Sequence, residues 1–397
     1  MDASEALSPV LLFPGEGGYD GTALNRAHHG YPQIRAVFER IDAVTVELFS
    51  RKISEIVLDT RPLELPELLQ GEPWVAQLAA YGAGLAAHRV LNEHAVHPSA
   101  MMGYGLGEIT ALVAAGAYSI EDGARIVARR TESFTEHGIG GRKTAVLSAS
   151  PHRTALLVAQ VGDPRLAITA EHHDAQTVVG GPAEAVASVQ VIARQLSIEC
   201  MELEDHFALH NADPAEKAAA FAAFVNPIPQ NPLNVPVYSP ILRGYYQSGE
   251  PLGNLLAAHF TRPVAFSAGV RKLYERGNRT FVEAGGGAAL SAMLPRALQG
   301  VASGEITVLS TLAVESGERL QLPGTLELLQ EGGLATGEAL RALRLHLSPA
   351  AADEEFAAFW AEDGHEIAAY VNRRLRAHHA GRAATNDVTK SAAMASW

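Results

Sequence analysis

Short, wholly apolar runs alternate along this chain with longer stretches of helical period. Val10-Leu11-Leu12-Phe13 and Ala100-Met101-Met102 are too short and too uniformly apolar for amphipathic helices, and each breaks into glycines. They read as strands buried on both faces, the pattern of a parallel sheet covered by helices. Helical period predicts helices over residues 31–50 and 73–92, over 109–115, and over Ile120–Phe134. The same alternation returns with a strand at Val235–Ser239 and a helix near Val264–Arg276. A strand follows at Thr280-Phe281-Val282-Glu283, which runs into Gly285-Gly286-Gly287. The fold class expected is therefore α/β, with a parallel sheet in the large domain.

The texture changes between these two halves. Thr144–Leu147, Leu166–Thr169, Thr177–Val179 and Ile198–Leu203 read as strands, and Pro151–Val161 and Pro182–Leu196 as helices. That βαββαβ order predicts an inserted ferredoxin-like small subdomain. The expected organisation is a large α/β domain from 9–139 and 205–345, interrupted by the subdomain at 140–204. C-terminal helices over 346–379 carry Phe356, Phe359, Trp360, Ile367, Val371 and Leu375, and a polar tail over 380–397 is expected to be disordered.

Composition narrows the partners. Of 397 residues, 47% are hydrophobic and 19% charged, enough apolar material for a sizeable core. A formal net charge of −13 disfavours nucleic acid and anionic membrane surfaces, so neither is expected as a partner. The single cysteine, Cys200, excludes an intrachain disulfide and fits a reducing compartment. With no leader pattern and no apolar run of membrane-spanning length, a cytoplasmic location is expected.

The most informative segment is Gly103-Tyr104-Gly105-Leu106-Gly107-Glu108, between a strand and a helical pattern. This is the setting of a G-x-S-x-G nucleophile elbow, but glycine occupies the serine position. The turn glycines are present and the hydroxyl is absent. A second glycine-rich loop, Pro14-Gly15-Glu16-Gly17-Gly18, follows the first strand, where backbone N–H groups commonly face a ligand.

Taken together, these segments resemble malonyl-CoA:ACP transacylases and polyketide-synthase acyltransferase domains. Phe13-Pro14-Gly15-Glu16-Gly17 is similar to their FPGQG loop and Gly103–Glu108 to their GHSLGE elbow. The match continues through Ala114–Asp122, and Phe207-Ala208-Leu209-His210 lies where these enzymes carry the catalytic histidine. Arg262–Phe266 and Phe281–Gly287 match later motifs, in consistent order from about residue 9 to 345. The resemblance implies an α/β-hydrolase-like large domain. It also implies a ping-pong transfer in which serine takes an acyl group from coenzyme A and passes it to a carrier's phosphopantetheine thiol.

Carried over position by position, the resemblance makes His210 the general base or acid and Gly105 a vacant nucleophile position. Arg130 falls in the slot that clamps a malonyl carboxylate, and Glu16 replaces the glutamine of the oxyanion loop. Tyr104 stands where the family has histidine, and Leu106 supplies an oxyanion amide. His259 replaces a residue whose backbone orients the catalytic histidine, and His172 an asparagine at the small-domain edge of the cleft. No metal motif is present, and Cys200 and His206 are expected to be core and rim residues. No tightly bound cofactor is expected; the substrate carrier would be a phosphopantetheine thioester, on CoA or acyl carrier protein. An acyl carrier protein or polyketide synthase module is the expected partner. Two functions remain open. One is an enzyme acting on an acyl thioester without a serine acyl-enzyme, by direct transfer, hydrolysis, or cyclisation or condensation. The other is an inactive homologue that binds a carrier protein or synthase as a scaffold.

Overall fold

The computed structural model describes residues 8–59, 61–135, 142–203, 215–247, 249–314 and 319–335. They divide into two compact units. The first spans Met1–Val90 and Pro98–Thr325, and the second Leu91–His97 and Leu326–Trp397. The expected C-terminal helices, the tail, His206 and His210 lie outside the described residues.

The first unit is built on two sheets. Strands are β1 (Val10–Phe13), β2 (Ala100–Gly103), β3 (Arg142–Leu147), β4 (Ala167–His173), β5 (Gln176–Pro182) and β6 (Cys200–Leu203). They continue with β7 (Val237–Ser239), β8 (Gly244–Tyr245), β9 (Val264–Ala265), β10 (Thr280–Gly286) and β11 (Thr307–Leu312). The larger sheet runs β11-β10-β1-β2-β7-β8. It is parallel except for the β7–β8 edge pair. β1 lies at its centre, with Leu12 opposite both Met102 and Glu283. All four β1 residues are fully buried, which explains why this strand shows no alternation. Val10 and Leu12 pack with Met102, Phe281, Phe266 and Val270 on one face, where the helix Phe266–Glu275 covers the sheet.

The smaller sheet runs β6-β3-β5-β4-β9, and its first four strands are mutually antiparallel. This is the strand order of a ferredoxin-like βαββαβ unit. Helices Pro151–Val161 and Ala183–Gln195 cover one face, around Ala145, Leu147, Leu157, Val179 and Val186. The first of these is delimited by local chemistry. Ser150 accepts from the Arg153 amide as N-cap, Pro151 occupies the first turn, and Gly162 ends it at φ +72. The opposite face, through Ala170 and Val178, packs with Ile241 and with Val264 of the adjoining β9.

Two expectations are corrected here. β4 continues to His173, four residues beyond the expected end, because register shifts at Ile168/Ala170 and Glu171/His173 break its alternation. Val264 and Ala265, expected in a helix, form β9, pairing in parallel with Ala170 and Glu171. The helix starts only at Phe266. Both β9 residues are fully buried, and the Ala265 amide also donates to the Pro240 carbonyl.

Candidate functional site

The elbow forms at the carboxyl end of β2, beside the loop that leaves β1. At the turn, the Tyr104 amide donates to the Phe13 carbonyl at 2.9 Å, and Gly107 and Glu108 donate back to Tyr104 and Gly105. The helix Gly107–Ala114 follows at once. Gly105 has φ +55, the left-handed conformation that L side chains adopt only with strain. The left-handed turn of a nucleophile elbow is therefore retained at a glycine, which adopts it without strain. Its packing is as tight as its hydrogen bonding. A Cβ on Gly103 would lie 2.1 Å from the Glu108 nitrogen, and one on Gly107 2.0 Å from the Phe13 oxygen. A Cβ on Gly15 would lie 2.8 Å from the Tyr104 carbonyl oxygen, so the two glycine loops are in direct contact. Leu106 is buried at the head of the helix, and the amides of Gly105 and Leu106 take no part in the turn's own hydrogen bonds.

Glu16 and Arg130 meet. Arg130, on the helix Ile120–Thr135, is fully buried rather than part of a surface ion pair. Its Nη1 lies 3.5 Å from Glu16 Oε1 and donates to Gln77 Oε1 at 3.0 Å. The guanidinium carbon stands 4.9 Å from the Phe134 ring centre. Nε and Nη2 find no hydrogen-bond partner among the described residues. Burial pushes the Glu16 carboxyl upward, against the pull of Arg130 and of hydrogen bonding from Gln77. The Glu16 side chain is 15% exposed and that of Arg130 not at all, so the accessible part of this pair belongs to Glu16.

Tyr104 and His172 also meet, across the two sheets. The Tyr104 hydroxyl lies 2.8 Å from His172 Nε2, and His172 Nδ1 lies 2.9 Å from Gln176 Oε1. The tautomer that donates from Nδ1 to Gln176 leaves Nε2 to accept from the phenol. Burial lowers the His172 imidazole below its ordinary range, which favours this neutral form.

His259 meets Glu108, the last residue of the elbow motif, and lies close enough to Arg130 to feel its charge. It is buried with Nε2 3.5 Å from Glu108 Oε2, the oxygen that accepts from the Tyr246 hydroxyl at 2.5 Å. Burial lowers the His259 imidazole, with Glu108 opposing. Sequence reasoning missed Gln77, Gln176 and Tyr246. Glu108 had a signal, as the last residue of the elbow motif; the other three had none, being joined to the site only by folding. Glu283, in the matched Phe281–Gly287 motif, caps the helix Ala289–Ala297 by accepting from the Leu290 and Ser291 amides. Cys200 is half-buried against the small-subdomain core, and burial raises its thiol. Among the described residues no group of three or more His, Cys, Asp or Glu side chains is arranged to hold a metal ion.

His88, on the helix Pro73–Glu93, stands edge-on to Phe13 at 6.3 Å, and burial lowers it to about 4. A histidine depressed in the fold contributes stability that is complete above its unfolded value and is lost as pH falls toward the folded one. Between about pH 6.5 and 4 this contribution is at most about 3 kcal/mol. Glu16 and Glu283, both raised, act in the opposite sense as pH rises above their ordinary range. The expected result is that His88→Gln loses less melting temperature on acidification from neutrality than the parent. Equal losses would contradict it.

Comparison with known proteins gives the family and the fold. Residues 21–332 match the Acyl transferase domain family. The spectinabilin polyketide synthase system protein NorC of Streptomyces orinoci is 26% identical over 328 residues, which are 80% of this chain and 14% of NorC. Erythronolide synthase EryA3 of Saccharopolyspora erythraea is 28% identical over 275 residues, 69% of this chain and 8% of that protein. The chain thus spans a small fraction of the length of these relatives. Among solved structures, a malonyl-transacylase in complex with its type II PKS acyl-carrier protein superposes with a TM-score of 0.71. It is 21% identical, over 81% of this chain and 99% of that one. The acyltransferase domain from module 8 of the salinomycin polyketide synthase gives 0.72 at 20% identity, over 83% of this chain and 76% of that one. Residues 21–332 hold the elbow and every strand but β1, and on that match this chain belongs to the acyl transferase domain family.

Proposed function

We propose that this protein acts on an acyl thioester, carried on an acyl carrier protein or CoA, without forming a serine acyl-enzyme. The observation that carries this reading is Gly105 at φ +55 in an otherwise intact elbow. The backbone that would hold a nucleophile and present amides to a developing oxyanion is kept and the nucleophile is gone, with Tyr104 and Glu16 standing where the family has histidine and glutamine. Acyl transfer at such a site needs an external nucleophile, either water or a second substrate. His210, by its motif position, is the general base or acid for that step. The polyketide synthase relatives, and the solved malonyl-transacylase with its acyl-carrier protein, support a carrier-bound substrate.

A second reading, binding of a carrier or synthase without turnover, is favoured by one observation. Glu16 brings a carboxyl to the loop whose amides would stabilise an oxyanion.

The test is intact-protein mass spectrometry with parallel product analysis, over a panel of acyl-CoA and acyl-carrier thioesters. The parent protein is expected to gain no acyl mass on residues 100–110 and to release a product. His210→Ala is expected to lower turnover by about 10²–10⁴-fold with the fold intact. Gly105→Ser places a hydroxyl on the elbow at a backbone cost of about 1–2 kcal/mol and is expected to acylate slowly. An acyl adduct mapped to residues 100–110 of the parent refutes the mechanism. Binding with no product from any thioester supports the scaffold.

A further inference from the structure

The Glu16–Arg130 pair bears on which acyl groups the cleft accepts. A guanidinium is charged at every accessible pH, so a fully buried Arg130 requires a nearby anion. That anion is supplied from within, by Glu16 at 3.5 Å, with the Gln77 amide oxygen at 3.0 Å as a second acceptor. Glu16 belongs to the loop packed on the elbow, where Gly15 abuts the Tyr104 carbonyl. Arg130 lies behind it, walled by Phe134.

An acyl group held over Gly105 would therefore meet the Glu16 carboxylate before the cation. A carboxylated acyl group would meet like charge at Glu16, and the Nη1 corner of Arg130 is already taken by Glu16 and Gln77. We propose that Glu16 occupies the anion site on Arg130 as an internal counter-ion, so that this cleft takes neutral acyl groups and rejects carboxylated ones of the malonyl type. The proposal rests on the reading that the site binds acyl thioesters.

The test separates the two. At about pH 8, where the malonyl carboxylate is ionised, calorimetric titrations compare acetyl-CoA and malonyl-CoA on the parent, on Glu16→Gln, and on Glu16→Gln with Arg130→Met. The parent is expected to bind acetyl-CoA at least about tenfold tighter, a difference of about 1.4 kcal/mol. Glu16→Gln removes the internal anion but keeps an oxygen acceptor, and the charge of Glu108 also acts on Arg130. This variant is expected to reverse the preference, and the double variant to lose the reversal.

Free malonate is titrated in parallel by thermal shift, with sodium chloride at matched ionic strength as control. It is expected to stabilise Glu16→Gln and not the parent. This arm needs no thioester, so it decides the Arg130 assignment even if no CoA ester binds and the functional reading fails. A parent that binds malonyl-CoA as tightly as acetyl-CoA overturns the proposal. So does a folded Glu16→Gln variant indifferent to malonate. Should that variant not fold, the parent's discrimination between the two esters decides the question, and if no ester binds, the parent's response to malonate does.

Discussion

Arg130→Ala is expected to destabilise the protein by about 3–5 kcal/mol, the cost of breaking a buried ion pair from one side. Two losses add. Glu16 is left without the cation that opposes its desolvation, and the space beside Phe134 is emptied. The pair itself is a different matter from either half. Replacing both members, with Glu16→Gln and Arg130→Met, removes the unmet charge while keeping most of the volume, and is expected to recover much of the loss. Urea denaturation of the single and double variants measures both. A loss below about 1 kcal/mol for Arg130→Ala, the range of exposed ion pairs, would show that the guanidinium is not the buried cation described here.

Gly107→Ala is expected to cost at least about 4 kcal/mol and to abolish accumulation of folded protein. Its Cβ would stand 2.0 Å from the Phe13 oxygen and 2.7 Å from the Phe13 carbonyl carbon. Those atoms belong to the central strand of the larger sheet, and the oxygen already accepts from Tyr104, so neither can swing aside. Gly17→Ala is the matched control. It adds the same methyl to the neighbouring loop, but nothing lies within 4 Å of that position. Equal unfolding midpoints for the two variants would refute the account of the elbow as a backbone-to-backbone contact.

The elbow and eight of the eleven strands were legible in the sequence because each rests on local information, whereas β8 and β11 had no reading. Gly103 and Gly107 announce a turn with no room for a side chain at either position, and the βαββαβ order of 143–203 shows in its alternation of period. What could not be read are features created by contact between distant segments. Val264 and Ala265 look helical beside Phe266 and become a strand only because β4 offers them an edge. β4 in turn looks too short, since bulges hide its alternation. Glu16 was legible as a departure from the FPGQG loop, but its partner was not. Nothing within residues 14–18 indicates that the carboxyl turns inward to Arg130, 114 positions away.

The pairing of the larger sheet also dictates an order of events while the chain is being synthesised. β1 emerges first, yet one of its two neighbours is β10, since Val10 pairs with Phe281. The four antiparallel strands of the smaller sheet lie within 142–203 and close on one another without help from later residues. That sheet can therefore assemble on the ribosome while the larger one is still open, domains generally folding as units in order of synthesis. Until residues 264–265 arrive, β4 is an uncapped edge with free hydrogen-bonding groups, the kind of surface that recruits strands from other chains. Two buried residues thus act as a late seal, and a ribosome stalled shortly before them would release a species prone to aggregate.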